Sequence, residues 1–317
     1  MTLYDVIIIG GGVVGYGTAM YCGRLNLKTL VIEGKPGGTI ILTDVVENYP
    51  GFIRLTGQEL ADKVKEHAQD YSKHVRFAEE KAIKVEKFPA KNGHHHFRVH
   101  TDEEHYHDAK TVIFATGSEW KKLDVPGEEQ YANKGVHYCA LCDGAVYQDK
   151  VMAIVGGSDS AAKDALVLTQ WAKKVYMIYR GEKIRPEPIN YERVMANQKI
   201  EIIYKTNVKE IKGDGKKVTH VLLDNPYNGS AEFRLDAIFI AIGHIPRSGL
   251  AKELGVAIDA KGEIIIDKES RTNIPGVYAA GDVADSEFKQ AITGVGEGVK
   301  ACYQAYTYIS KNHIEPA

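Results

Sequence analysis

The chain has 317 residues, too many for one ordinary core, so two domains or one domain split by an insert are expected. A content of 44% hydrophobic and 26% charged residues excludes a fibre or a disordered chain. With 40 basic against 42 acidic side chains and no Lys/Arg stripe, nothing attracts nucleic acid.

The N-terminus shows no basic and apolar leader, and no later segment reaches the length of a membrane span. The sequence is therefore read as a soluble cytoplasmic protein with no membrane contact. From Tyr4, the apolar run Val6-Ile7-Ile8-Ile9 predicts a parallel strand buried on both faces, entering Gly10-Gly11-Gly12. A small-residue helix is expected over 15–25 and a second strand over 29–32, ending in Glu33. Gly10-x-Gly12-x-x-Gly15 between strand and helix is a dinucleotide fingerprint. Gly10 makes the tight turn, Gly12 admits a pyrophosphate to the backbone, and Gly15 lets the helix lie close to the sheet. The phosphates meet the positive helix end. Glu33 is placed to accept both hydroxyls of an adenosine ribose.

Strands over 83–85, 97–99 and 111–115 complete the first domain, the last running into Ala115-Thr116-Gly117. Between them His94, His95, His96, His100, His105 and His107 follow Asn92-Gly93, a type I′ turn signal, and are read as decoration of a hairpin with no metal site.

Next comes Cys139-Ala140-Leu141-Cys142, followed by Asp143-Gly144. Two thiols so spaced can close a disulfide in one turn, and the adjacent carboxylate can handle the proton that thiol exchange releases. In a reducing compartment such a pair is catalytic or half of a metal site. Zinc wants four ligands, and His137 offers a third at best. Cys22 and Cys302 stand alone, in segments that read as buried helices, and are expected to be small core hydrophobes.

The first pattern then recurs: a strand over 151–155, Gly156-Gly157-Ser158-Asp159-Ser160-Ala161, a helix over 159–171 and a strand over 175–178. Ser158 replaces the middle glycine and would crowd a pyrophosphate. Tyr179 stands where Glu33 stood, so the ribose carboxylate is missing, while Arg180 and Arg185 are the cations on hand for a 2′-phosphate. Strands over 200–204, 218–223 and 237–242 come after it. The tail holds a strand over 277–280, Gly281-Asp282 and a helix from 294, too little for a third nucleotide fold. Its simplest place is back in the first domain, where Asp282 can bind the ribityl chain of a flavin.

With Glu47-Asn48-Tyr49-Pro50-Gly51, Val125-Pro126-Gly127-Glu128, the dithiol segment and Gly276-Val277-Tyr278-Ala279-Ala280-Gly281-Asp282-Val283, the chain resembles, nearly end to end, the small FAD-containing thioredoxin reductases. The resemblance implies an α/β fold of two Rossmann-like domains, the second inserted into the first, with bounds 1–117, 118–247 and 248–317. It implies FAD held by Gly10, Gly12, Val13, Gly15, Glu33, Gly38, Asn48, Gly117, Gly281, Asp282, Gln290 and Ala291. Cys142 would face the flavin, Cys139 would attack the disulfide of thioredoxin or a thioredoxin-like protein, and Asp143 would carry protons. A homodimer and a rotating middle domain are also implied. Where the family has a His-Arg-Arg run, this chain has Tyr179-Arg180-Gly181, so weak use of NADPH and NADH is expected. Alternatives are a donor such as reduced ferredoxin or reduced flavin, another thiol carrier, or a non-enzymatic nucleotide-binding scaffold.

Overall fold

The computed structural model describes residues 2–43, 46–90 and 93–312. They form two compact units: one contains residues up to Glu119 and from Ile245 onward, and the other runs from Trp120 to His244.

In the first unit four strands are parallel, in the order Val75–Ala78, Thr29–Ile32, Leu3–Ile9, Tyr106–Phe114. The last of these is long enough to serve two neighbours on its far side. Phe97 to His100 pair antiparallel with its first half, whereas Val277–Ala279 pairs parallel with Val112 to Phe114. The C-terminal tail thus closes the sheet begun by the N-terminus. Strand Leu3–Ile9 is apolar throughout its second half because both its faces are covered. Val6 and Ile8 meet Ala19, Cys22, Ala301 and Cys302 of helices Val13–Arg24 and Ala291–Asn312. Ile7 and Ile9 pack on the other side with Phe97, Phe114 and Ile264.

Those two helices bury Cys22 and Cys302 in the core, as expected, and add a contact between them. Both are fully buried, and their sulfurs are 3.0 Å apart, a pairing the sequence does not show. The contact with Cys22, reinforced by burial, pushes the Cys302 thiol far above its ordinary pKa. Helix Gly57–Gln69 and strand Val75–Ala78 were not anticipated. The helix begins with a capping box, the Thr56 hydroxyl accepting from the Glu59 amide while the Glu59 carboxylate accepts from that of Thr56.

The second unit repeats the plan with the parallel order Ile200–Ile203, Lys174–Ile178, Val151–Val155, Ala237–Ile240, Val136–His137. Met152 and Ile154 face Ala161, Ala165 and Leu168 of helix Asp159–Leu168. Ala153 and Val155 face Val208, Val221 and Phe233 of a three-stranded antiparallel sheet, Val208–Gly213, Val218–Tyr227 and Ser230–Arg234.

The histidine segment is a paired structure. His95–Thr101 is a strand, His105 and His107 both reach Glu80, at 3.0 and 3.1 Å, and His100 lies 2.6 Å from Glu86. Asn92 of the expected turn lies outside the described residues. Among the described residues no group of three or more His, Cys, Asp or Glu is arranged to hold a metal, and no helix is long and apolar enough to cross a membrane.

Candidate functional site: two glycine turns and a dithiol

The two glycine turns are built alike. Gly10 and Gly156 have φ of +126° and +147°, and a Cβ on either would lie 2.1 or 2.3 Å from a carbonyl oxygen, of Ala115 or Ala241. Only glycine fits there. Gly12 and Ser158 each cap the helix that succeeds them with nearly the same extended backbone, ψ being −179° and 178°. Serine therefore costs the second turn no strain. Its hydroxyl accepts from the Ala161 amide at 3.5 Å, and the residue is exposed at the helix start, beside exposed Ser160.

The difference lies under the turns. A side chain at Gly11 would collide with Glu33, whose Cβ is 2.2 Å from the site; at Gly157 it would collide with the Tyr179 ring at 2.5 Å. Tyr179 thus takes the place in the second unit that Glu33 takes in the first, and Gly181 closes on its other side at 2.6 Å. Arg180 and Arg185 are exposed, and the Arg185 amide donates to the Gly157 carbonyl at 2.7 Å, bringing that residue alongside the turn. Asp159 is committed elsewhere: it accepts from the Glu187 amide and Asn190 and pairs with Lys163 at 2.8 Å.

The residues of the first unit fit FAD. Glu33 is 1% exposed, with Tyr16 donating to it at 2.7 Å and Lys65 at 2.9 and 3.1 Å. These three contacts fix the carboxylate and leave about one of its roughly four lone-pair sites, room for one of the two ribose hydroxyls expected there. Burial first, and then the bond to Glu33, push the Tyr16 hydroxyl far above its usual pKa. A Cβ at Gly12 would touch Gly38 at 3.7 Å, an ordinary contact, while Gly38, with φ of +67°, passes so close that its own Cβ would be 2.9 Å from Gly12. Gly117 also takes positive φ, at +66°. Asn48 donates to Gln290 at 2.9 Å, just before helix Ala291–Asn312. Asp282 comes after strand Val277–Ala279 in a short 3-10 turn, and Ser118 donates to it at 3.3 Å. Tyr16 and Lys65 belong to no motif; only the fold identifies them.

Cys139 and Cys142 form a disulfide, with Cα atoms 5.3 Å apart. Cys139 caps the short helix Ala140–Asp143 and its Sγ accepts from the Cys142 amide at 3.1 Å. Cys142 is exposed, whereas Cys139 is only 8% exposed. The segment is anchored by Glu128, 2% exposed, which accepts from Tyr138 at 2.6 Å and from the amides of Leu123 and Asp124. Asp143 is half-buried, and its Oδ2 lies 3.1 Å from Nδ1 of His137, a contact no motif announced. A reducible disulfide with a carboxylate–imidazole pair beside it is equipped for thiol–disulfide exchange, although Cys139, the expected attacking residue, is the more buried of the two.

The family model described as pyridine nucleotide-disulphide oxidoreductase matches residues 4–298. A thioredoxin reductase of Listeria innocua is 38% identical over 98% of this chain and 95% of its own length. One from Mycolicibacterium smegmatis is 40% identical over 98% of each. The crystal structure of Lactococcus lactis thioredoxin reductase superposes with a TM-score of 0.91 at 37% identity, covering 97% of this chain and 99% of that one. By motif, fold and these likenesses, the chain belongs to the pyridine nucleotide-disulphide oxidoreductases, among the low-molecular-weight FAD-dependent thioredoxin reductases.

Proposed function

We propose that the protein reduces the disulfide of thioredoxin or a thioredoxin-like protein, in the cytoplasm and as a homodimer, with the unit holding residues 1–119 and 245–317 as the FAD domain and the inserted unit as the dithiol domain. The observation that carries this reading is the Cys139–Cys142 disulfide with Asp143 next in the chain. Reduced FAD, when bound, would supply the two electrons that open this bond. Glu33, with Gly10, Gly12, Val13, Gly15, Gly38 and Gly117, would hold its adenosine and phosphate half, and Asn48, Gly281, Asp282, Gln290 and Ala291 the flavin half. Cys139, freed from the ring, attacks the partner's disulfide; Cys142 resolves the mixed disulfide; Asp143 carries the proton between sulfurs. The test is anaerobic: FAD-loaded protein reduced with dithionite is mixed with oxidised thioredoxin and the thiols are counted. Stoichiometric transfer is expected, and no transfer with Cys139 and Cys142 fully reduced refutes the assignment.

A second reading concerns the electron donor. Tyr179 fills the position of the ribose carboxylate, and Ser158 stands at the pyrophosphate approach. Both features favour poor use of NADPH and of NADH, and a donor that is not a nicotinamide, such as reduced ferredoxin or free reduced flavin. Stopped-flow reduction of the bound flavin by each donor decides this. Rapid, saturable reduction at micromolar NADPH overturns it.

A further inference from the structure

His137 enters no motif, yet it is buried beside the dithiol. It is 6% exposed, and it stacks on Phe239 with ring centroids 5.4 Å apart. Nε2 lies 2.9 Å from the Tyr147 hydroxyl, and Nδ1 lies 3.1 Å from Oδ2 of Asp143, the residue joined to Cys142. Both ring nitrogens of a buried imidazole therefore face oxygen, and one of those oxygens belongs to the group that handles the dithiol's protons.

Such a ring sits between two opposing effects. Burial disfavours its charged form and is the larger effect, holding its pKa below the ordinary imidazole value; Asp143 acts in the other direction. Beside a closed disulfide the ring is neutral. Nε2 then accepts from Tyr147, while Nδ1, 3.1 Å from Asp143 Oδ2, is buried without a hydrogen bond of its own. Opening the disulfide puts a thiolate in the same short turn as Asp143, a second negative charge that tips the balance toward imidazolium. The Tyr147 hydroxyl suits both states, because it can donate to the neutral ring and accept from the charged one.

We propose that His137 is the proton store of the dithiol: neutral beside the closed disulfide, it takes up a proton when the pair is reduced and returns it, through Asp143, to sulfur leaving the partner. The inference rests on the dithiol reading above. Two electrons break the Cys139–Cys142 bond, and two protons are taken up, one by a sulfur and one by His137, leaving one thiolate. That thiolate breaks the partner's disulfide and forms a mixed disulfide, which the remaining thiol resolves. The partner's two sulfurs receive the thiol's proton and the His137 proton, and the ring is neutral again. Acting through Asp143, His137 is a positioning residue.

The other ionisable groups around it are few enough to control. Burial, then Asp143 and Asp236, push the Tyr147 hydroxyl further above its ordinary pKa, outside the neutral range. Asp164, on helix Asp159–Leu168, which packs against the dithiol segment, is pushed up to about 7 by burial and must be removed separately.

The experiment measures iodoacetamide alkylation of the FAD-loaded, phosphine-reduced protein against pH, with Cys139 and Cys142 resolved by mass spectrometry. Cys22 and Cys302, fully buried, serve as unreactive internal references. The profile of the cysteine that carries the thiolate, Cys139 in the assignment above, should show two inflections, its own and one in the neutral range. His137→Asn, which keeps a donor toward Asp143 but cannot titrate, should lose the neutral one and slow alkylation near pH 6.5 by roughly tenfold. Asp164→Asn should keep both. A single inflection in the unsubstituted protein, or two in His137→Asn, overturns the inference and leaves the dithiol reading standing. Reduced Cys139 and Cys142 that fail to exchange with any disulfide sink both. If His137→Asn does not fold, histidine-labelled NMR of the unsubstituted protein decides. The ring must gain charge at about pH 7 on reduction, and a ring that stays neutral in both redox states overturns the proposal.

Discussion

Replacing Tyr179 by Glu should turn the second glycine turn into a copy of the first. The two side chains already occupy equivalent ground, within 2.2 Å and 2.5 Å of where a Cβ on Gly11 or Gly157 would be. A ribose hydroxyl donating to a carboxylate is worth about 1.5–3 kcal/mol. One such bond alone should tighten NADH binding by about 10- to 150-fold. Loss of the half-buried ring between Gly157 and Gly181 costs at most about 2 kcal/mol of fold stability. That cost does not enter the affinity of the folded protein. NADPH should not share the gain, because the new carboxylate would face its 2′-phosphate and repel it. The assay is anaerobic stopped-flow reduction of the bound flavin at graded NADH and NADPH, alongside a thermal melt. If the variant melts normally and retains FAD, but half-saturates at the same NADH concentration as its parent, the equivalence of Tyr179 and Glu33 is wrong.

Glu33→Gln should weaken FAD retention by about 10- to 100-fold through loss of a charge-assisted acceptor; titration of apoprotein with FAD checks this, and unchanged affinity would contradict the placement of the adenosine half. Cys142→Ser should accumulate a mixed disulfide with thioredoxin through Cys139, whereas Cys139→Ser should not; mass spectrometry of the trapped species reads the order of attack, and the reverse pattern reassigns the two sulfurs. The histidine hairpin should make stability depend on pH. Burial opposes ionisation of Glu80, but hydrogen bonds from His105 and His107 hold its pKa below the ordinary value, so this contribution is lost as pH falls through that pKa. His105 is raised by its hydrogen bond to Glu80, and its share is lost as pH rises through the raised value. The gap in urea midpoint between the parent and Glu80→Gln should therefore be widest at about pH 5–6; an equal gap at about pH 8.5 would contradict the pairing.

What was legible in the sequence was what backbone geometry and covalent spacing dictate. Gly10 and Gly156 announce themselves because no other residue tolerates both the positive φ and the facing carbonyl. Strand Leu3–Ile9 is legible because burial on two faces leaves no polar position in its second half. The Cys139–Cys142 pair needs no fold to close a ring. Helix Gly57–Gln69 carries its own signal in Thr56 and Glu59, a capping pair that is weak without an apolar run behind it. Strand Val75–Ala78 buries one residue of four and has no period to read. Tyr16, Lys65 and His137 were out of reach for another reason: each matters through a partner that only tertiary packing brings near. The same holds for the Cys22–Cys302 contact, which joins residues near opposite ends of the chain.

That contact, with the seating of Val277–Ala279 on Tyr106–Phe114, sets an order of events during synthesis. The inserted unit is continuous in sequence and can be complete while the ribosome is still translating the C-terminal segment. The split unit cannot. Its first helix lacks the cover of Ala301, Cys302 and Ala305 until these have emerged, though Val6, Ile8, Ala68 and Val75 are available earlier. At about 5–20 residues per second that wait is roughly 15–60 s. During it, the part of Val13–Arg24 that Ala291–Asn312 will cover is open to chaperones and to neighbouring nascent chains.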